Sequence, residues 1–362
     1  MERHFVNTFL FLVFCFYLYI AAFSYTSIIV ENSEYSSLIT IIRVGLIFLM
    51  VLVKICENNF KHIDVIFLMI SGILLATLNP FFSIVSFMLI VGFIVGNFVN
   101  DVKAINFANY ISMISLITIL LLCNLGILEN RVFYDTNDYA KSIRYSLGFD
   151  NPNATSMFIV QTIMIFFVYK NNLGKILSLF LGGIVAYYAA SRTAFLILVC
   201  FFLMFLFIKS NKIIKLIKWI SISFLLFVPL FLKLFIANNI WVIGGYDLDQ
   251  LLSGRLSLIQ EFYRINGGLS IFPSYDDFPL DSGLANIILK GGMGFYCLFI
   301  FVCYLYLKKE TNRYFIYLFI SFLMLLISEN FITGNMLLSV LLVARFIFLL
   351  RQSNLKYIGV VE

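Results

Sequence analysis

The sequence predicts an all-α polytopic membrane protein with about 12 transmembrane helices, and three observations carry that prediction. Hydrophobic residues make up 62% of the 362 residues and charged residues 12%, with a mean hydropathy of +1.00. Soluble domains run at about 45–50% and about 25%. The apolar residues come in long runs parted by short polar breaks, and Lys and Arg concentrate on alternate breaks. This composition excludes a soluble globular enzyme, a disordered chain and a nucleic-acid-binding domain. The net charge of +6 reports topology here, because basic residues in membrane proteins mostly set orientation.

A spanning helix needs about 20 predominantly apolar residues, with a range of about 17–25. The runs fall at about 5–30, 38–53, 63–78, 81–99, 105–128, 154–169, 173–190, 193–208, 213–236, 283–307, 314–328 and 336–350. The first has the look of a signal peptide, but eleven more follow, so it is read as an uncleaved helix. With the N-terminus in the cytoplasm, the inner breaks hold 15 Lys and Arg, the outer breaks hold 6, and Arg43, Lys233, Lys290 and Arg345 lie within runs. Asp and Glu go the other way, with 13 outside and 6 inside. Both termini are therefore expected in the cytoplasm, and residues 1–362 read as a single integral membrane domain.

Two outer loops are long, about 129–153 and about 237–282. Both are rich in ionisable and aromatic residues, which points to work done on that side. Within the second, Leu252, Leu256, Ile259 and Phe262 recur at helical spacing, interleaved with Arg255, Gln260, Glu261 and Arg264. An amphipathic helix lying on the outer membrane surface is expected, capped by Ser253 or Asp249.

The six Cys lie in or at the ends of apolar runs, with no CxxC, and the only histidines are His4 and His62. No disulfide framework or His/Cys zinc site is expected. No GxxxxGK[ST] loop is present, so nothing signals ATP-driven transport.

The outward cations are the first chemical candidates. Guanidinium offers forked donors that suit phosphate oxygens and stays charged at any working pH. Arg144, Arg192 and Arg255 sit just outside runs, while Arg43, Lys233 and Lys290 lie inside runs toward their outer ends. An ionisable residue within a membrane is expensive and is a functional hypothesis by default. Together these cations suit a lipid diphosphate headgroup. Snorkelling is the competing reading for Lys233 and Lys290, whereas Arg43 lies deep enough to need a buried partner or a ligand. Among the outer acids, which include Asp135, Asp138, Asp150, Asp276 and Asp277, Asp281 and Glu329 rank first as a base raised by burial, because each abuts a run and can point into a cavity.

Four segments together resemble the Wzy-type O-antigen and capsular polysaccharide polymerases, which belong with the O-antigen ligases in one superfamily. They are Arg144 to Thr155 with Gly148, Asp150, Asn151, Pro152 and Asn153; Ser191, Arg192 and Thr193; Ser253, Gly254 and Arg255; and Asp281 to Leu284 followed by Lys290, Gly291, Gly292 and Gly294. The resemblance covers roughly residues 140–340. Two features depart from it. Arg255 is followed by Gly267, one residue beyond the Arg-x10-Gly spacing of some such polymerases, and no outer loop carries the His usual in the ligase branch.

The resemblance implies an enzyme that joins oligosaccharide repeat units carried on undecaprenyl diphosphate at the outer face of the bacterial inner membrane. It implies no cofactor and no metal, and partners that include a chain-length regulator and a flippase. Arg255, with Arg192, is expected to hold the donor diphosphate as it leaves. Arg144 with Asn153 is expected to orient the acceptor, and Asp281 or Glu329 to take its hydroxyl proton. Arg43 and Lys290 complete the substrate-binding set. An O-antigen-ligase-type transferase and a non-enzymatic flippase or exporter of the lipid-linked unit are the alternatives. As packing elements, Gly291, Gly292 and Gly294 fit close helix contact, and Gly148 to Pro152 fits a turn that opens a helix.

Overall fold

In the computed structural model the described residues are 2–56, 62–134, 143–236, 242–243, 246–247, 249, 254–275, 278 and 280–358. Asp135, Asp138, Lys141, Ser253, Asp276 and Asp277 lie outside them. Helix dominates. Twelve helices of 15 residues or more match the apolar runs one for one among the described residues: α1 Glu2–Phe23, α3 Ser33–Cys56, α4 His62–Ala76, α5 Pro80–Val95, α6 Val102–Asn124, α7 Pro152–Val168, α8 Asn172–Ala189, α9 Arg192–Phe207, α10 Asn211–Phe231, α12 Gly292–Lys309, α13 Arg313–Ser328 and α14 Leu337–Ile358. Among the described residues, six stretches are long and apolar enough to cross a membrane, within α1, α3, α6, α8, α12 and α10 with its extension to Leu234. Five further apolar helices, α4, α5, α7, α9 and α13, run to 17 residues or fewer. These helices make the chain membrane-embedded.

Polar side chains start most of these helices. Asn79, Asp101, Asn151, Asn171 and Asn312 each accept backbone N–H groups of the following turn. Such groups otherwise go unsatisfied at a helix N-terminus. Pro80 and Pro152 occupy first-turn positions, where a missing N–H costs nothing. Deep in the bundle the cap of α14 comes from another helix: the N–H of Leu338 donates to Oε1 of Gln161 at 3.1 Å.

The centre is built from α7, α13 and α14, which bury almost their whole circumference, including Thr155–Phe166 and Phe315–Leu323. The flanking helices expose large apolar side chains, such as Ile41 and Phe48 on α3, Phe180 on α8 and Leu226 and Phe227 on α10. Contiguous exposed apolar faces of this kind suit lipid, not water.

The structure redraws several expected elements. The first run breaks at Ser24–Thr26, and Ser27–Glu31 forms a separate short helix, α2. The backbone leaves the helix there to pair with the first loop: Thr26 bridges Phe149, and the N–H of Asp150 donates to Tyr25 O at 2.8 Å. That loop holds a hairpin, β1 Val132–Tyr134 and β2 Ile143–Tyr145, with Phe133 opposite Arg144. Arg131 clamps it, pairing with Glu31, Glu129 and Asp150. A second small hairpin, β3 Val242–Ile243 and β4 Tyr246–Asp247, lies in the large loop, ahead of α11 Arg255–Ile265. The 283–307 run starts as the turn Gly283–Ala285 and a π-helical turn Asn286–Lys290 before α12 begins. Gly292 has φ +78 there, and a Cβ on it would meet the carbonyl oxygens of Phe272 and Ile271 at 2.6 and 2.7 Å. This glycine therefore admits loop backbone, and not, as expected, a neighbouring helix.

Candidate functional site

At the loop-bearing end of the bundle Arg255, Asp281 and Glu329 come together. Helix α11 is fixed there by Asp249, whose Oδ1 accepts from the N–H groups of Leu256 and Ser257 at 2.7 and 3.0 Å. Leu256, Ile259 and Phe262 are buried, and Phe262 packs on Phe278. Arg255 and Gln260 are buried with them, at 8% and 6% exposure. The expected two-faced surface helix is thus a docked helix with a wider buried face, and only Ser257, Glu261, Arg264 and Ile265 are exposed.

Arg255 meets two carboxylates. Its Nη2 donates to Glu329 Oε1 at 2.6 Å, and its Nε lies 3.7 Å from Asp281 Oδ2. Sequence places these three residues up to 74 positions apart, and a local device joins them. Ser282 Oγ donates to Leu326 O at 3.1 Å and accepts from the N–H of Ala285 at 3.3 Å. The N–H of Gly283 donates to Glu329 O at 3.2 Å. A Cβ on Gly283 would come within 2.6 Å of Leu326 Cδ2 and 3.1 Å of Glu329 O. Glycine leaves the 281–285 turn free to lie this close to the end of α13 without displacing Leu326, and that closeness sets Asp281 beside Arg255.

Glu329 lies just beyond the last turn of α13. Burial raises its carboxyl from the usual carboxylate range to about 7, and the negative charge of Asp281 adds to the rise; Arg255 and Arg144 oppose it. Desolvation therefore outweighs the neighbouring guanidinium, and near neutral pH this group both accepts and gives up a proton.

Beside Arg255 opens a cavity of about 370 Å³. Its walls are apolar, with Phe224, Phe227 and Phe231 of α10 facing Leu256 and Ile259 of α11. Arg255 and Ser282 are its polar members.

Arg144 sits on β2. Its Nη2 donates to Asn153 Oδ1 at 2.6 Å and its Nε to Ala189 O at 3.1 Å. The pair named from sequence is thus a direct contact, tied to the end of α8, and the charge of Arg144 reaches Glu329. Tyr145, next along the strand, stacks edge-on to Tyr188 at 6.0 Å.

Three other candidates stand elsewhere. Arg192 is exposed in the first turn of α9, and Lys290 is half-buried at the end of the π turn. Neither lines the cavity at Arg255. Arg43 lines a different cavity, where it donates to Ser24 Oγ at 3.0 Å and to Asn335. The cations expected to share one headgroup are therefore distributed over more than one place.

Sequence reasoning did not find the phenylalanines of α10, Ser282 as an anchor, or Asn335. Phenylalanine repeating every three to four residues reads equally as lipid-facing surface, and an asparagine in a polar break carries no signal. Among the described residues, no three His, Cys, Asp or Glu side chains converge in a metal-binding group. No protein-family model matches the chain, and neither curated proteins nor solved structures provide a match.

Proposed function

We propose that the chain is a polysaccharide polymerase of the bacterial inner membrane, joining lipid-diphosphate-linked oligosaccharide repeat units at its loop-bearing face. In this reading the twelve long helices all span, both termini are cytoplasmic, and the loops face the periplasm or the cell exterior. The observation that carries the proposal is the arrangement at Glu329: a buried carboxyl poised near neutrality, in contact with an arginine that itself lines an apolar cavity. Such a site offers an apolar channel for a polyprenyl tail, a cation for its diphosphate and a base for a sugar hydroxyl. The resemblance of the four sequence segments to Wzy-type polymerases supports the same reading.

The chemistry follows from those groups. The anomeric carbon of the growing chain is bonded to a phosphate oxygen of its lipid carrier. Glu329 takes the proton of the acceptor hydroxyl, whose oxygen forms the new glycosidic bond. The bond to phosphate breaks, and its electron pair leaves with the diphosphate. Arg255 stabilises the charge that builds there, in a site from which the apolar walls exclude water. Asp281 holds Arg255 from its other side, and Arg144 with Asn153 borders the site where the incoming unit approaches. Glu329 is the better base of the two carboxylates, because it is buried and Asp281 is solvated.

Deleting the gene and resolving surface polysaccharide into single repeat units tests this reading. Loss of the ladder with one repeat still displayed is the expected result. Absence of any displayed unit would instead indicate a flippase, and finished polymer retained on the lipid carrier would indicate a ligase. Arg255→Ala is expected to abolish polymer while the protein stays in the membrane; normal polymer from that variant would remove Arg255 from the mechanism.

A further inference from the structure

The cavity at Arg43 has features that the proposed reaction leaves unused. Arg43 lies ten residues into α3, about 15 Å along it at 1.5 Å per residue. Every partner it has is neutral. Nη1 donates to Ser24 Oγ, and Nη2 to Asn335 Oδ1. The same amide oxygen accepts from Tyr17 Oη at 3.3 Å, and Asn335 Nδ2 donates to Tyr25 Oη at 3.4 Å. The Nε of Arg43 is buried and has no hydrogen-bond partner. Among the described residues no carboxylate pairs with Arg43, and Glu31, on the nearby α2, is taken by Arg131.

Such a guanidinium is costly. A cation set within an apolar bundle needs a counter-charge or a route to water. Arg345 and Arg351, the other arginines packed among the helices, each hold an acid: Glu310 at 2.7 Å and Asp64 at 2.8 Å. Arg43 has instead an open volume of about 420 Å³, room for roughly a dozen waters at about 30 Å³ each. Thr40, Ser36, Asn330 and Thr333 line it with hydroxyl and amide groups. A forked cation on a cavity wall, with neutral hydroxyl and amide groups beside it and Ile39, Ile84 and Phe87 among the rest of the lining, is the chemistry that recognises phosphate oxygens carried on an apolar or a free group.

We propose that this cavity is a second anion-binding site, separate from the one at Arg255, that takes a phosphate or diphosphate group. Two sources share that chemistry, the headgroup of a prenyl lipid and a free anion. The proposal stands on the unbalanced charge and the cavity, and holds whether or not the chain is a transferase.

The full-length protein in phosphatidylcholine nanodiscs, which lack anionic lipid, provides the test. Inorganic diphosphate and farnesyl diphosphate are titrated separately, and bound ligand is counted by equilibrium dialysis. The wild type is expected to bind two equivalents of at least one probe. Arg43→Gln is expected to weaken one of them by at least about tenfold, the loss of one charge-assisted contact, and to keep the other. Arg255→Gln is expected to do the reverse. Binding of farnesyl diphosphate alone supports a lipid headgroup at Arg43, and binding of both probes supports a free anion. A second variant, Thr40→Glu, places a carboxylate on the cavity wall one helical turn from Arg43. It is expected to raise the melting temperature and to lose the same equivalent. Full binding by folded Arg43→Gln, or retention of the equivalent by Thr40→Glu, overturns the proposal. If Arg255→Gln loses nothing while Arg43→Gln loses one equivalent, the Arg255 assignment fails and this one stands.

Discussion

Two regions of the molecule bury an arginine against a glutamate, and they are built to opposite ends. At the Lys-rich end, Arg345 grips Glu310 with two donors, Nε at 2.7 Å and Nη2 at 3.1 Å, and spends Nη1 on Asn100 at 2.7 Å. Glu310 is fully buried. The backbone carbonyls around it are satisfied as well, since Lys218 Nζ donates to Leu307 O and Glu310 O. The rings of Phe315 and Phe348 cover the guanidinium plane. At the loop-bearing end, Arg255 meets Glu329 through a single donor, a second acid stands 3.7 Å off, its Nε is left without a hydrogen bond, and a cavity opens alongside. The first pair is saturated and fastens α12 to α14. The second keeps spare valence next to empty space, as a binding site requires. The difference lies in what surrounds the pair, since the residue types are the same.

That contrast can be broken first at Glu329. Glu329→Gln keeps a hydrogen-bond acceptor for Arg255 and removes the base. Polymer formation by membranes carrying it is expected to fall about 10²- to 10⁴-fold, the usual contribution of a positioned base, with the amount of folded protein unchanged. Retained activity would move the base to Asp281. The reverse holds at the other end: Glu310→Gln strands Arg345 in the interior, and a loss of about 3–5 kcal/mol of stability is expected. Thermal unfolding in detergent measures it, and a stability equal to wild type would show that the pair is not structural.

The pH response sharpens the comparison further. Folding raises the Glu329 carboxyl to about 7, so the folded protein holds a proton that the unfolded chain has released. The stabilisation from this group is therefore present below the ordinary carboxylate range and is lost as pH climbs toward 7. Wild-type stability is expected to decline over that window and Glu329→Gln to lack the decline, while polymer formation rises through pH 7 as the base ionises. Superimposable stability profiles for the two proteins would contradict the assignment. The smallest effect is expected at Asn151, whose side chain caps α7 through the N–H of Ala154. Asn151→Ala should cost about 1 kcal/mol, read as a small drop in melting temperature with the site intact.

Length made the long helices legible, because a run of apolar residues between polar breaks leaves the backbone few alternatives in lipid. The hairpin that carries Arg144 was not legible: its strands are three residues each, too short for an alternation to register. Arg255 stood out as a cation at the head of a helical repeat, and Glu329 as an acid abutting a run. Their contact depends on Gly283 and Ser282 drawing two distant turns together, and nothing local encodes such tertiary closeness. Arg345 and Glu310 appeared in sequence as a cation within a run and an acid in a short break, with no sign that they pair. Asn335, 292 residues from Arg43, gave no signal, because neutral amides are ordinary in loops and only the fold turns one into a guanidinium's partner.

The connection from α13 to α14 runs from Glu329 to Met336. Its first residue touches Arg255, and Asn335, six residues on, touches Arg43. Between them Phe331, Ile332 and Thr333 are buried, and the N–H of Thr333 donates to Phe331 O at 2.9 Å. Whatever factor an occupant at one arginine imposes on affinity at the other must be returned in equal measure, and these few residues are the short covalent path that joins the two contacts.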